Sequence, residues 1–281
     1  MVISTVALGG WMTYRAVSPW IGTLREMRRL EREGPYRYRA DAASTALYSS
    51  LERAYFALKR RDTQQALAYA ADGARNAPGN PLFDYVEAGI YWERGDRDRA
   101  LKAIRSGNAK GILHLYASLD VPPDRWQWPQ FDLIRYTAKK IAGDPHTDEA
   151  QLNDLVVMGH KMIWCEPSDP VRLLQGVDVR QAAAQRLERT EGNRAHPRRA
   201  ELYRELIEEG RALRAGIRRL IDQEKPFHDD ARAWIIVRAI RSSDPRFREI
   251  AALVYLEKQA EWAAQLRSRY LRSRNLEELK H

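Results

Sequence analysis

The 281-residue chain has a single cysteine, Cys165. That excludes an internal disulfide and any zinc or iron–sulfur site built from several thiolates. Histidine is equally poor in pattern: His114, His146, His160, His196, His228 and His281 are never three or four residues apart. No helix can therefore present two imidazoles on one side, and the HExxH metal helix is absent. The G-x-S-x-G nucleophile turn is also missing, and neither "VALGG" nor "RGDRDRA" has the spacing of a phosphate-binding glycine loop. Runs of β-branched residues are scarce, and no strand pattern stands out. Long hydrophobic runs are lacking as well. The opening "MVISTVALGGWMTY" is uncharged for only fourteen residues, short of the roughly 20 that cross a hydrocarbon core.

What is present favours helix. Ala, Leu, Arg and Glu recur throughout, 44% of residues are apolar and 30% are charged, which fits a globular chain with a substantial core. The formal charge of +9 is uneven. Residues 1–40 hold 7 basic and 3 acidic side chains, 41–179 hold 17 and 19, and 180–281 hold 23 and 16. Basic ends can meet anionic lipid, nucleic acid or an acidic partner. Here the bases are interleaved with acids, as in pairing along helix faces.

Three parts follow. Residues 1–40 form an apolar, signal-like or anchor-like segment and a charged linker. Trp11, Tyr14 and Trp20 suit a membrane–water interface, and Arg25, Arg28, Arg29 and Arg32 suit its flank. Three readings compete: an anchor whose true start lies upstream, the apolar part of an export signal, or a buried helix. The expectation is an N-terminal apolar helix and membrane association through residues 1–20, with the side of the membrane open. Residues 41–118 alternate helix and break, with helices predicted over 42–60, 63–76, 81–94 and 97–108. Residues 119–281 start with the loop "DVPPDRWQWPQFD". Helices follow over 130–142, 148–164, 169–191, 197–224, 229–241 and 246–275. Leu202, Leu206, Leu213, Ile217 and Leu220 trace one face of 197–224, and Phe247, Ile250, Val254, Trp262, Leu266 and Tyr270 one face of 246–275.

At an offset of 34, Ala54 falls over Ala88, Asp62 over Asp96, Ala66 over Ala100, Leu67 over Leu101 and Gly73 over Gly107, and Pro78 closes the first unit. This pattern resembles the tetratricopeptide repeat, a 34-residue helix–turn–helix unit. The resemblance covers 47–114 and is best in 81–114. In the first unit Arg61 replaces the turn glycine, Ala57 an aromatic and Arg53 an apolar residue, a departure Glu87 shares in the second. The resemblance implies that Ala54 and Ala88 lie where the two helices of a unit cross. Gly95-Asp96 would form the turn, and Ala66 and Ala100 would let the second helices approach closely. It also implies a concave face with Tyr48, Tyr55, Lys59, Tyr85 and Trp92, suited to an extended peptide or a partner helix. For Tyr85 and Trp92, packing as core against the next helix competes with that role. A third unit starting near Leu152, with Gly159 at the crossing, fails at its turn, "CEPSDP". The stretch "SSDPRFREIAALVYL" at 242–256 resembles the second helix of a HEAT repeat in a single copy.

Other constellations have plainer readings. His160 and Cys165 could meet as a nucleophile pair, but a buried cysteine at a helix end is the ordinary case. "FHDDARAW" lacks the further histidines of a metal site, so helix capping explains Asp229 and Asp230. Trp126 and Trp128 either stack on a ligand or plug the seam before the C-terminal helices. Arg267, Arg269, Arg272 and Arg274 around Tyr270 do not form one stripe, which disfavours a nucleic-acid track. The expected protein is all-α, with tetratricopeptide-like hairpins followed by a longer helical bundle. Its expected role is a non-catalytic scaffold or adaptor that holds a protein or peptide, without cofactor or metal. Two alternatives stay open: a soluble regulator that binds nucleic acid through its basic C-terminal part, and an enzyme with a site near His160, Trp164 and Cys165.

Overall fold

A computed structural model describes residues 41–118, 120, 128–193, 197–223, 245–272 and 279. The apolar N-terminal segment, Trp126, the helix expected over 229–241 and the "FHDDARAW" run lie outside the described residues. The described residues form nine helices and no strand: α1 Ala42–Lys59, α2 Thr63–Asn76, α3 Leu82–Glu93, α4 Arg97–Ala109, α5 Gln130–Gly143, α6 Glu149–Ile163, α7 Pro170–Asn193, α8 Pro197–Gln223 and α9 Pro245–Tyr270. Among these residues no helix is long and apolar enough to cross a membrane. The last helix stops at Tyr270, five residues before its expected end.

The first two hairpins are built alike. Each first helix ends in a residue with left-handed backbone, Arg61 at φ 62° and Gly95 at φ 78°. In each, the amide of the next residue, Asp62 or Asp96, reaches back five positions to Ala57 O or Tyr91 O at 3.0 Å. The amides of Arg61 and Gly95 bond Leu58 O and Trp92 O at 2.9 Å. This pair of bonds closes a helix end by satisfying its last carbonyls. The same aspartates then cap the second helices, accepting from Gln65 N at 2.9 Å and Arg99 N at 3.2 Å. Ala54, Ala66, Ala88 and Ala100 are all fully buried where these helices meet.

Packing of α2 on α3 joins the two hairpins. Beyond α4 the order changes: α5 packs on α3 and α7, α6 on α4 and α7, and α8 and α9 continue from α7. Among the glycines of this second half, the closest approach to another helix's backbone is at Gly159. A Cβ there would stand 2.5 Å from the backbone nitrogen of Arg180, so only glycine lets α6 and α7 touch backbone to backbone. One apolar core runs from Leu47 through Leu155 and Leu187 to Ala260, and a smaller one gathers Ile163, Leu173, Val177, Leu213 and Leu266. Each fully buried Leu or Ile contributes about 1.5–3 kcal/mol.

Candidate functional surface

Because the helices of each hairpin run antiparallel, the turns at Arg60–Asp62 and Arg94–Asp96 lie at one end of the molecule. The C-terminus of α5 lies there too. A Cβ on Gly89 would meet Leu133 at 2.7 Å, and Arg97 pairs with Asp144, just past α5, at 2.5 Å. Helices α3 and α5 therefore end toward the same end of the molecule. Trp92 is three residues beyond Gly89, and Tyr136 is three beyond Leu133. Helical spacing turns both rings away from that contact in the same sense, which on parallel helices puts them on opposite sides of the seam.

Cations lie over these rings. Arg97 is 5.4 Å from the Trp92 ring and Lys140 is 5.3 Å from Tyr136. On α1, Lys59 is 5.3 Å from Tyr55, which is half-buried. Tyr136 is 49% exposed, whereas Trp92 is half-buried and packed on the core. Lys59, Arg60, Arg61, Arg94 and Lys140 have no acidic partner within ion-pair distance among the described residues. At the same end, Asp62 and Asp96 are engaged as caps, and Asp144 holds Arg97. Glu93 and Asp98 remain as exposed acids.

Of the five residues expected on a concave face, two are core. Tyr48 is 3% exposed and Tyr85 is 1% exposed. The Tyr85 hydroxyl donates to Asn108 Oδ1 at 2.9 Å, and burial pushes its pKa well up, with nearby Asp84 adding to the shift. Their place in a groove is corrected accordingly: interior polar pairing holds Tyr85, and only Tyr55, Lys59 and Trp92 have surface to offer. Tyr136 and Lys140 are exposed as well, on α5 outside the repeat pattern.

The opposite end carries a feature with no clear sequence signal. Residues 111–118 run extended across the starts of α1 and α3. Leu113, Leu115 and Ala117 face in, while Ile112 and His114 face out. His114 pairs with Glu166 as an isolated parallel bridge, through Leu115 N to Glu166 O at 2.8 Å and Glu166 N to Leu113 O at 2.9 Å. Asn80 donates to His114 O at 2.8 Å and to the Tyr116 hydroxyl at 2.7 Å, while Ser44 Oγ bonds Ala117 O at 2.7 Å. Trp128 Nε1 donates to Tyr116 O at 2.9 Å, and Arg172 lies 4.2 Å from the Trp128 ring. Trp128 thus ties this segment to α7. Nearby, a cavity of about 650 Å³ opens between α1, residues 114–116, residues 165–168 and Ala260 and Ala264 of α9.

Cys165 lies in the wall of that cavity but is fully buried, and desolvation pushes its thiol pKa up. His160 stacks near Trp164, with ring centres 6.1 Å apart. Arg267 donates to Ile163 O and Cys165 O at 3.3 Å and lies 5.4 Å from the Trp164 ring. Arg272 pairs with Glu205 at 3.2 Å, and Arg269 lies over Tyr270. The C-terminal arginines thus turn to three separate internal partners; Arg274 lies outside the described residues. Among the described residues, no group of three His, Cys, Asp or Glu side chains is placed to hold a metal ion. No family model, curated protein or solved structure matches this chain.

Proposed function

We propose that the protein is a non-catalytic scaffold that holds another polypeptide on tetratricopeptide-like hairpins. The observation that supports this most is the matched pair of hairpin closures at Arg61-Asp62 and Gly95-Asp96. They have the same left-handed turn, the same backbone bonds and the same cap one repeat apart. Repetition of that kind makes parallel first helices, and their ends at the shared turns carry Tyr55, Lys59 and Trp92. Aromatic rings under cations bury area at low entropic cost and fit a polypeptide partner.

A thiolate nucleophile at Cys165 fits the geometry poorly, since burial keeps the thiol protonated near neutral pH. A nucleic-acid track along α9 fits poorly too, because Arg267, Arg269 and Arg272 diverge. Membrane association through residues 1–20 belongs to the proposal on sequence grounds alone. The test is affinity capture from the source cell with the full chain as bait, beside a Tyr55→Ser/Trp92→Ser double variant and a chain starting at Asp41. Specific capture lost in the double variant, with its helical circular dichroism intact, supports the scaffold. Equal capture by the double variant contradicts it. Equal sedimentation with membranes for the full and shortened chains contradicts the anchor.

A further inference from the structure

We infer that the cavity beside the extended segment binds a small ligand with an apolar chain and an ammonium head, the ammonium seated on Glu166 beside His114. The cavity lies at the end of the molecule opposite the hairpin turns, so the inference does not rest on the scaffold reading. Its volume of about 650 Å³ falls within the roughly 300–1,000 Å³ that small-molecule sites occupy. The start of α1, residues 114–116, residues 165–168 and α9 wall it. His114 and Glu166, both lining residues, are the two partners of the parallel bridge. Paired residues on neighbouring extended segments point to the same face at a spacing of about 5 Å, so imidazole and carboxylate lie side by side. Both are exposed, and among the described residues neither side chain has a hydrogen-bond or ion-pair partner. The other charged lining groups are engaged. Asp41 caps α1 by accepting from Ser44 N at 2.8 Å, and Arg267 donates to Ile163 O and Cys165 O.

Charge sets the sign of the ligand. The wall carries two carboxylates, Asp41 and Glu166, and one guanidinium already directed at backbone carbonyls. An anionic ligand would meet those carboxylates. A metal ion is poorly served, since no group of three His, Cys, Asp or Glu side chains is placed to hold one among the described residues. An ammonium fits: it has three donors, the Glu166 carboxylate offers acceptors, and a neutral His114 imidazole offers one more. Hydrogen bonds between two ionised groups are among the stronger ones. The rest of the wall selects an apolar body. Ala43, Ala260 and Ala264 keep the volume open by their small size, and Leu47, Leu115 and Pro167 add carbon surface. A polyamine would set charge against that surface. An alkyl chain covers it.

The test is a ligand-observed NMR titration of the full chain with octylamine, beside octanoate and octanol as controls of the same chain length. Octylamine should bind, octanol should bind about tenfold more weakly, and octanoate should not bind. Glu166→Gln keeps the backbone bonds of the bridge and should weaken octylamine about tenfold, worth about 1.4 kcal/mol. Ala264→Leu, at a half-buried wall position, should occupy the space of the chain and abolish binding. Glu93→Gln removes an exposed acid elsewhere and should change nothing. Absence of octylamine binding overturns the inference, as does equal affinity for octylamine and octanoate. Unchanged octylamine affinity in both wall variants, with helical circular dichroism intact, overturns it too. An acetylated Leu-Lys-Leu amide separates a free amine from a lysine on a partner chain. If that peptide binds more tightly than octylamine and the same two variants abolish it, the site serves a partner's lysine and the small-ligand inference falls.

Discussion

Single side chains in this fold carry identifiable costs. Glu87 occupies a place where an apolar residue would pack better. It is half-buried, and desolvation, reinforced by the Asp84 carboxylate, raises its pKa although Lys110 opposes the shift. A carboxyl that holds its proton more tightly in the folded state stabilises it only at low pH. That contribution is lost as pH rises from the ordinary carboxylate range through the raised value. Glu87→Gln should therefore be more stable than the parent at neutral pH, with the gap closing as pH falls into the ordinary carboxylate range. Urea titrations at both ends of that range measure it. Gly159 is the converse case. Alanine favours helix by about 1 kcal/mol, yet its methyl would press on the backbone of Arg180. A net loss of about 1–3 kcal/mol is expected on Gly159→Ala, read from the urea midpoint. Cys165 should resist a thiol reagent in the folded protein and react fully once unfolded, because it is buried and protonated. Rapid labelling of the native chain would revive the nucleophile reading.

Among the elements, the two hairpin turns offer a matched comparison. Arg61 adopts the left-handed backbone that costs an ordinary residue roughly 1–2 kcal/mol, whereas Gly95 adopts it freely. Arg61→Gly should raise stability by about 0.5–1 kcal/mol after the greater flexibility of unfolded glycine is subtracted, and Gly95→Ala should lower it by about 1 kcal/mol. Shifts of the same sign in both would mean the two turns are not equivalent. Residues 111–118 depend on Asn80, which is 4% exposed and whose amide serves His114, Tyr116 and Leu82 at once. Asn80→Ala leaves the buried Leu82 amide and the part-buried His114 and Tyr116 groups without this partner, so a loss of about 1–3 kcal/mol is expected, with thermal unfolding as the check. Helices were legible from sequence because their signals are local. The spacing predicts 42–60, 63–76, 81–94 and 97–108, and the helices run over 42–59, 63–76, 82–93 and 97–109. Apolar spacing, Asp62 and Asp96 mark those bounds. The extended segment was not legible: its alternation is only Leu113, Leu115 and Ala117, and its partners Ser44, Asn80 and Glu166 are distant in the chain.

For the molecule as a whole, the order of helices after α4 decides what surface exists. A continued repeat would set α5 against α4, but the long connection through residues 110–129 lets α5 lie against α3. No local pattern encodes that choice, so the contact of Gly89 with Leu133 could not be read from the sequence. The same limit explains Tyr85. Its aromatic spacing suits a groove, yet Asn108 on α4 supplies the interior hydrogen bond that keeps it in the core. The two matched hairpin closures, one repeat apart, carry the scaffold reading. The most direct measurement is site-specific photo-crosslinking in the source cell, with a benzophenone side chain introduced at position 59, which is exposed, and, as control, at position 75. Adducts of a defined polypeptide at position 59 and none at position 75 are expected. No adduct at 59, or the same adducts at both positions, would contradict a partner-binding face.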